Sequence, residues 1–248
     1  MDSLLFIDDE DFELLEVQSE HPEVMCLKAN NTDILLAHPR LNPRFISRDS
    51  GRRRQLYLER IERNLAEEKF VGPRSEFLAS LNMQLTISLS TENDLKRAEE
   101  LCVRTNQLNT TGKTYDYDEL KEFIYSKSHK LYICELQDKF GYQGKVGLAL
   151  IELNGDYHYL RLFIMSCRVM SSGVGTVLLS YVMHQAKAQQ KILRADFKHT
   201  GRNRPMFITL KMANFKEVSS DFEGEVVLQN DLSLVPPYPP YLKLSIPN

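Results

Sequence analysis

From about residue 77 onward the sequence predicts a mixed α/β domain, a central sheet flanked by helices. A short α/β segment and a linker helix precede it. Three observations carry this expectation. QLTISLS (84–90) alternates apolar and polar residues as a half-buried strand does. KLYICELQD, KVGLALIELN and YHYLRLFIMSCRV are strand-like runs broken by Gly141, Gly144 and the Asn154-Gly155 pair, a strong hairpin signal. The segment 173–189 places apolar residues at 174, 177, 178, 181, 182 and 186, the spacing of one buried helical face.

The remaining elements fit around these. TENDLKRAEELCVRT reads as a helix with Thr91 as N-cap and Asp94 three residues later, an approximate capping box. A second helix is expected over 116–127. ILRADFK reads as a strand, NRPMFITLKMA as a helix, and 214–218 and 225–229 as short strands. The predicted order from 77 is β-α-α-β-β-β-α-β-α-β-β. The closing VPPYPPYLKLSIP is too rich in proline for a helix and is expected as an extended tail.

Ahead of this domain, LLFIDD (4–9) is an apolar run ending in two carboxylates, as a buried parallel strand is when it delivers charge to its C-terminal edge. FELLEVQSEHPE is helix-like and VMCLKA strand-like. HPRLNPRFISRDSGRRRQ (38–55) carries two prolines and six arginines and suits a solvated connection. RRRQLYLERIERNLAEEK reads as an exposed linker helix with a thin apolar stripe at Leu56, Leu58, Ile61 and Leu65. The expected divisions are therefore 1–50, a linker helix over 51–76, and the main domain over 77–248.

Composition narrows the class. The 248 residues are 42% hydrophobic and 26% charged, as in an ordinary globular protein, and a net charge of −3 gives no reason to expect nucleic acid as a partner. No apolar run approaches the ~20 residues that span a bilayer. The opening is acidic and lacks a basic n-region, so a signal peptide is not expected. Cys26, Cys102, Cys134 and Cys167 are scattered, with no CxxC pair and no histidine at ligand spacing. Reduced thiols, a cytoplasmic location and no bound metal are the expectation.

Two resemblances follow from particular motifs. The element order, with SSGVGTVLLSYV opening the helix after the longest strand, resembles the GNAT acyltransferase fold and its Q/R-x-x-G-x-G/A segment. The resemblance implies that backbone N–H groups at Gly173, Val174 and Gly175, with Arg168 nearby, hold the pyrophosphate of acyl-CoA. Gly173 and Gly175 match; Met170 stands at the Arg/Gln position. RTNQLNTTGKTY, MSCRVMSSGVG and KHTGRNRPMFITLKMANF together resemble the C-terminal domain of FkbH-like proteins. FIDDEDFELLEVQSEHPEV resembles the last strand and helix of the HAD-like domain that precedes it in that family. This resemblance implies a transferase that moves a small hydroxyacyl group, such as glyceryl, onto the phosphopantetheine of an acyl carrier protein in polyketide-type biosynthesis. The donor would be acyl-CoA or a phosphopantetheine-linked acyl group, and a separate HAD-like subunit is a conceivable partner.

Departures from both patterns matter. No D-x-D-x-T/V motif follows an early strand, and DYDEL (116–120) follows no strand, so HAD phosphatase activity is not expected of this chain. Asp8 and Asp9 resemble the acidic magnesium pair of that domain or are a relic at a strand end. In the GNAT pattern Leu210 stands where many members have a tyrosine that protonates the leaving thiolate, and Asn214 replaces the usual glycine. Alternatives are therefore a free-standing acyl-CoA-dependent N- or O-acetyltransferase and a non-catalytic carrier-docking module.

Candidate site residues follow. Cys167, beside Arg168 and just before a helix N-terminus, is either a covalent acyl relay or a small apolar core residue. His199, after ILRADFK, is a general base or a solvated loop residue. Asn106, Gln107, Asn109 and Thr111 are expected in a ligand-facing loop whose amides read hydroxyls without adding charge. Capping and turn formation account for some of them instead. Asn203 caps the following helix, holds a ligand carbonyl, or both. The arginines at 40, 44, 48 and 52–54 meet an acidic carrier protein or form a solvated face.

Overall fold

The computed structural model describes residues 4–30, 32–38, 41–42, 46–222 and 224–247. Arg40 and Arg44 of the arginine run lie outside these residues. The chain forms two compact units, Met1–Ile46 and Ser47–Asn248.

The first unit is a β-α-β fragment. β1 (Leu5–Asp8) and β2 (Met25–Lys28) pair in parallel, Leu5 opposite Met25, joined by α1 (Asp11–Glu20), and α2 (Thr32–Ala37) follows. Parallel strands cannot be joined by a tight turn, which is why a helix lies between them. α1 buries none of its residues, and Phe12 and Leu15 are exposed. Asp8 closes β1, and its Oδ1 accepts a hydrogen bond from the Glu10 N–H at 2.9 Å. No group of three or more His, Cys, Asp or Glu able to hold a metal occurs among the described residues. Nor, among them, is any helix long and apolar enough to cross a membrane.

The second unit begins with α3 (Arg48–Gly51), α4 (Arg53–Lys69) and α5 (Arg74–Ser80). It continues through β3 (Met83–Leu89), α6 (Glu92–Arg104), α7 (Tyr117–Tyr125), β4 (His129–Asp138), β5 (Gly141–Asn154) and β6 (Tyr157–Met165). A one-turn 3-10 helix (Cys167–Val169) leads to α8 (Val174–Ala188), β7 (Ile192–Lys198), α9 (Arg204–Met212), β8 (Lys216–Ser220), β9 (Glu225–Asn230) and β10 (Leu242–Ser245). The strands form one sheet in the order β10-β3-β4-β5-β6-β7-β9-β8. Only β6/β7 and β10/β3 run parallel.

Alternation along the central strands feeds two cores. On β5 and β6, Leu148, Leu150, Leu162 and Ile164 face α6 and α7, while Ala149, Ile151, Phe163 and Met165 belong to the larger cluster with α8 and α9. Local signals hold as read. Thr91 N–H donates to the Asp94 carboxylate at 2.7 Å at the start of α6, and Asn154 pairs with Tyr157 across a turn in which Gly155 has φ +54°.

Two elements differ from expectation. The C-terminal tail is not merely extended: Leu242–Ser245 adds β10 to the edge of β3, with Leu242 buried. The linker helix expected over 51–76 is α4, and it belongs to the second unit. Of its apolar stripe, Leu58, Ile61 and Leu65 are exposed, as an exposed helix requires, while Leu56 is buried together with Glu59. Arg63 clamps the fully buried Asp138 carboxylate through Nε at 2.6 Å and Nη2 at 3.1 Å. Asp138 also accepts from Gln143 Nε2 and Phe140 N–H. Residues 56, 59 and 63 share a face at i, i+3, i+7, so the buried face of α4 combines a leucine with an acid and an arginine.

Removing one partner of a buried ion pair leaves the other uncompensated, at a cost of about 3–5 kcal/mol. Arg63→Ala is expected to lower stability by about 3 kcal/mol in urea unfolding. Leu58→Ala, on the exposed part of the apolar stripe, is expected to cost below ~1 kcal/mol.

Candidate functional site

The site begins where two parallel strands part. β6 and β7 pair only from Tyr157/Ile192 to Leu160/Ala195; beyond that, β7 continues beside β9 while the last half of β6 diverges. Diverging strands expose backbone donors and acceptors, which an extended amide-bearing ligand can pair with. Here the chain itself fills the gap. Thr110 N–H donates to Phe163 O at 3.1 Å, Phe163 N–H to Thr110 Oγ1 at 3.0 Å, and Met165 N–H to Leu108 O at 2.9 Å. From the other strand, Lys198 N–H donates to Thr110 O at 3.0 Å. Leu108–Thr110 is thus a short strand-like wedge between β6 and β7.

The amides and hydroxyls of RTNQLNTTGKTY divide into two sets. Asn109 is buried; its Oδ1 accepts from the N–H groups of Thr111 and Gly112 at 3.1 and 3.0 Å, an Asx turn. Thr111 Oγ1 accepts from Lys113 N–H. Gly112 sits at φ +69°, where a side chain would also run into Thr200. Asn203, buried, donates from Nδ2 to the carbonyls of Asn109, Thr110 and Lys198 and accepts from Thr200 N–H at 3.0 Å. The polar atoms of Asn109, Thr111 and Asn203 are therefore committed to holding the wedge. Asn106 and Gln107 are exposed, and both line the same cavity.

That cavity encloses about 450 Å³, in the range of small-ligand sites. The end of α6, residues 105–108, the turn at 166–168 and the start of α4 surround it, with Arg202 at one edge. Cys167 is exposed on the 3-10 turn and lines it. Arg168 lies beside it, with Nε donating to Ser166 Oγ at 3.3 Å. Burial and then the neighbouring Arg97 lower the Arg168 pKa, partly offset by Asp49, Cys167 and Glu100.

An ion network forms one wall. Glu100, buried, accepts from Ser47 Oγ at 2.7 Å and pairs with Arg53, Arg97 and Arg104. Asp49 pairs with Arg97 at 3.0 Å and accepts from Lys145 N–H at 2.9 Å. The close fit against Asp49 requires glycine at 144, which has φ +83° and no room for a Cβ. Lys145 pairs in turn with Asp94, tying the network to the α6 cap.

The glycine turn lies elsewhere. Gly173 caps α8 with φ +79°, so Val174, Gly175 and Thr176 present N–H groups that have no intrahelical acceptor. Arg74 Nη2 donates to Ser171 O at 2.9 Å beside them. These features suit a pyrophosphate. The adjoining cavity, lined by Gly173, Gly175 and Met206, is only about 70 Å³, and Tyr241 Oη lies 2.7 Å from where a Gly173 Cβ would be. With the β6 edge occupied by the wedge, a pantetheine arm finds no strand-like seat there.

Cys167, Arg168, Asn106 and Gln107 thus come together, while His199 does not join them. It is exposed and packs edge-on to Phe197 and against Phe207. Leu210 is fully buried, and Asn214 adopts φ +67°, a left-handed position that glycine also suits. Sequence reasoning missed Arg97, Glu100, Arg104 and Arg202. The first three recur at i, i+3, i+7 along α6, a charged stripe leading into RTNQLN.

No family model matches the chain, and no curated protein sequence does. Solved structures do resemble it. A domain from Methanocaldococcus jannaschii matches with a TM-score of 0.50 at 16% identity, covering 60% of this chain and 98% of that one. A protein described as a GNAT-family acetyltransferase from Desulfovibrio desulfuricans gives 0.49 at 12% identity, covering 60% and 99%. Spermidine N-acetyltransferase from Vibrio cholerae, solved with CoA and spermine, gives 0.45 at 14% identity, covering 59% and 93%. At such identities the likeness is one of fold. The expected mixed sheet flanked by helices is the architecture observed.

Two outcomes follow. Burial raises the Glu100 pKa, but the Ser47 hydroxyl and Arg97 outweigh it and leave the carboxyl below its ordinary 4.5. A depressed folded-state value contributes stability that is complete above about 4.5 and is lost as pH falls through the folded value. Glu100→Gln should therefore destabilise at neutral pH and flatten the acid limb of urea midpoint against pH below 4.5. Asn203→Asp, which sets a carboxylate against three carbonyls, should cost more than about 3 kcal/mol in urea unfolding at neutral pH.

Proposed function

We propose that the chain is an acyltransferase. It moves a small hydroxyacyl group, glyceryl being one example, onto the phosphopantetheine thiol of an acyl carrier protein through a thioester on Cys167. The observation that carries this reading is the exposed Cys167 thiol in a 450 Å³ cavity whose rim holds the uncommitted amides of Asn106 and Gln107. The FkbH-like resemblance supplies the acyl group, the carrier, polyketide-type biosynthesis and a HAD-like partner subunit, with residues 1–50 as a remnant of such a domain.

The chemistry is two thioester exchanges. The Cys167 sulfur attacks the donor carbonyl, the bond to the donor sulfur breaks, and the donor leaves as a thiol with the proton that Cys167 gives up. The carrier thiol then attacks the Cys167 thioester and releases Cys167 as a thiol. Each step exchanges one C–S bond for another, so the overall free-energy change is small. Thiolates leave readily, which is consistent with leucine at 210 where a proton-donating tyrosine is usual. The proton passes between sulfurs, and this reading gives His199 no part. Asn106 and Gln107 would bind the acyl hydroxyls as neutral donors and acceptors. Asn109, Thr111 and Asn203 position them by holding the wedge.

An acyl donor on a carrier arm reaches the site through the large cavity rather than along β6. Acyl-CoA entering over Gly173, Val174 and Gly175 is the second reading, supported by the N–H groups of α8 and by Arg74. It predicts direct transfer without a covalent enzyme.

Intact-protein mass spectrometry separates them. Incubation with a glyceryl-thioester carrier protein should add a glyceryl-sized mass that is absent in Cys167→Ala, with transfer to a second carrier falling on the order of a thousandfold. Absence of the adduct in both proteins would remove the relay, and undiminished transfer from acyl-CoA would then establish the direct route.

A further inference from the structure

The C-terminal segment VPPYPPYL (235–242) lines no part of the cavity beside Cys167. Four of its residues are proline, which holds φ at about −65° and removes the N–H. Such a composition favours a stiff polyproline rod with about three residues per turn, so residues three apart share a face. Val235, Tyr238 and Tyr241 have that spacing, and all three pack against the larger core cluster. Pro237 and Pro240, between them, are exposed.

The rod lies along α8. Tyr238 packs on His184, with ring centroids 5.2 Å apart. Tyr241 reaches the start of the same helix, where its Oη lies 2.7 Å from the place a Cβ on Gly173 would take. Positions 173 and 184 are about three α-helical turns apart and so share a face. The segment therefore runs from the second half of α8 toward its first turn. Beyond Tyr241 the far end is pinned. Leu242 N–H donates to Pro239 O at 3.3 Å, Leu242 is buried, and Leu242–Ser245 pairs with β3 as β10.

The first turn of α8 is the seat that an acyl-CoA donor needs, since Val174, Gly175 and Thr176 present N–H groups without intrahelical acceptors. We propose that residues 235–245 are a strap that closes this seat to nucleotide-linked donors, with Tyr241 as the residue that sets the exclusion. A pyrophosphate must come within hydrogen-bond distance of the N–H groups, and the phenol stands in the space over Gly173 that it has to cross. Closure needs little ordering, because proline leaves the segment few other conformations to lose. A donor tethered to a carrier protein enters beside Cys167, away from the strap. The strap thus decides between the two donor routes described above. That the seat takes CoA rests on the acyl-CoA reading; the place of the strap on α8 does not.

Desulfo-CoA is the probe, because it keeps the pyrophosphate and lacks the thiol that would exchange with Cys167. Its binding to the full chain would be measured by isothermal titration calorimetry, with circular dichroism and urea midpoints confirming that each variant is folded. Wild type is expected to bind no tighter than about 1 mM, and Tyr241→Phe, which keeps the ring over the turn, the same. Tyr241→Ala is expected to bind about tenfold tighter or better. Leu242→Ser removes the buried anchor of β10 without touching the α8 turn, and should bind more tightly as well. Panthenol, which has the pantoyl amide and no phosphate, should show no gain in any variant.

Measurable binding that is equal in wild type, Tyr241→Ala and Leu242→Ser overturns the strap and leaves the acyl-CoA reading standing. No binding by any folded variant overturns the seat and the strap together. A gain confined to Tyr241→Ala overturns the pinning by β10, and an equal gain for panthenol overturns the exclusion of phosphate. The glyceryl adduct on Cys167 is read in a separate experiment, so failure of the relay and failure of the strap are told apart.

Discussion

The gap between β6 and β7 is the constraint on which the rest of the second unit depends. Two parallel strands that pair for only four residues and then part leave backbone groups that must be satisfied. Leu108–Thr110 satisfies them, and Asn203 closes the arrangement by bonding three carbonyls around the wedge. Because the wedge is fixed to both strands, the residues just before it are fixed as well. Asn106 and Gln107 cannot drift from the 3-10 turn that carries Cys167, since Met165 N–H is bonded to Leu108 O two residues from the cysteine. A loop has been given the positional accuracy of a strand, which is what a site for a small polar group requires.

The second constraint is electrostatic. A cluster of guanidinium groups on one wall is tolerated because Glu100 and Asp49 lie among them, and those carboxylates are in turn held by Ser47, by the Lys145 N–H and by the missing side chain at Gly144. The short α3 has a role out of proportion to its four residues. Ser47 and Ser50 exchange hydrogen bonds in a capping box, which presents Asp49 to Arg97 and Ser47 itself to Glu100. Fold stability and the charge of the cavity are thus set by the same side chains. Substitutions within the network will move both, whereas Arg168 and Arg202 stand outside its ion pairs.

What the sequence disclosed and what it hid follow a physical pattern. Features written in local spacing were legible: the Thr91/Asp94 cap, the Asn154-Gly155 turn, the buried face of α8, and Gly173 before that helix. Features that need a distant partner were not. Arg63 meets Asp138 across 75 residues, so α4 read as an exposed linker helix rather than one held by a buried ion pair. Leu242–Ser245 becomes a strand only because β3 offers an edge. In RTNQLNTTGKTY, the residue types announced a polar role but not its division. Asn109 and Asn106 are the same amino acid three residues apart, yet the first is spent on an Asx turn and the second faces the cavity. The arginines of α6 were hidden for the opposite reason: on a surface helix such charges are ordinary, and only the arrival of Cys167 and Arg168 from β6 makes them a site.

Under the proposed relay, the two constraints give this cavity features that favour a thiol acceptor over an amine. An amine acceptor must lose a proton, and the leaving thiolate gains most from a general acid; yet no histidine is among the residues lining the cavity. A thiol acceptor needs less, because one sulfur replaces another and the developing negative charge lies among guanidinium groups throughout. A cationic wall would also repel a protonated amine. An exposed thiol set among guanidinium groups is the feature of the lining on which the proposed thioester exchange rests.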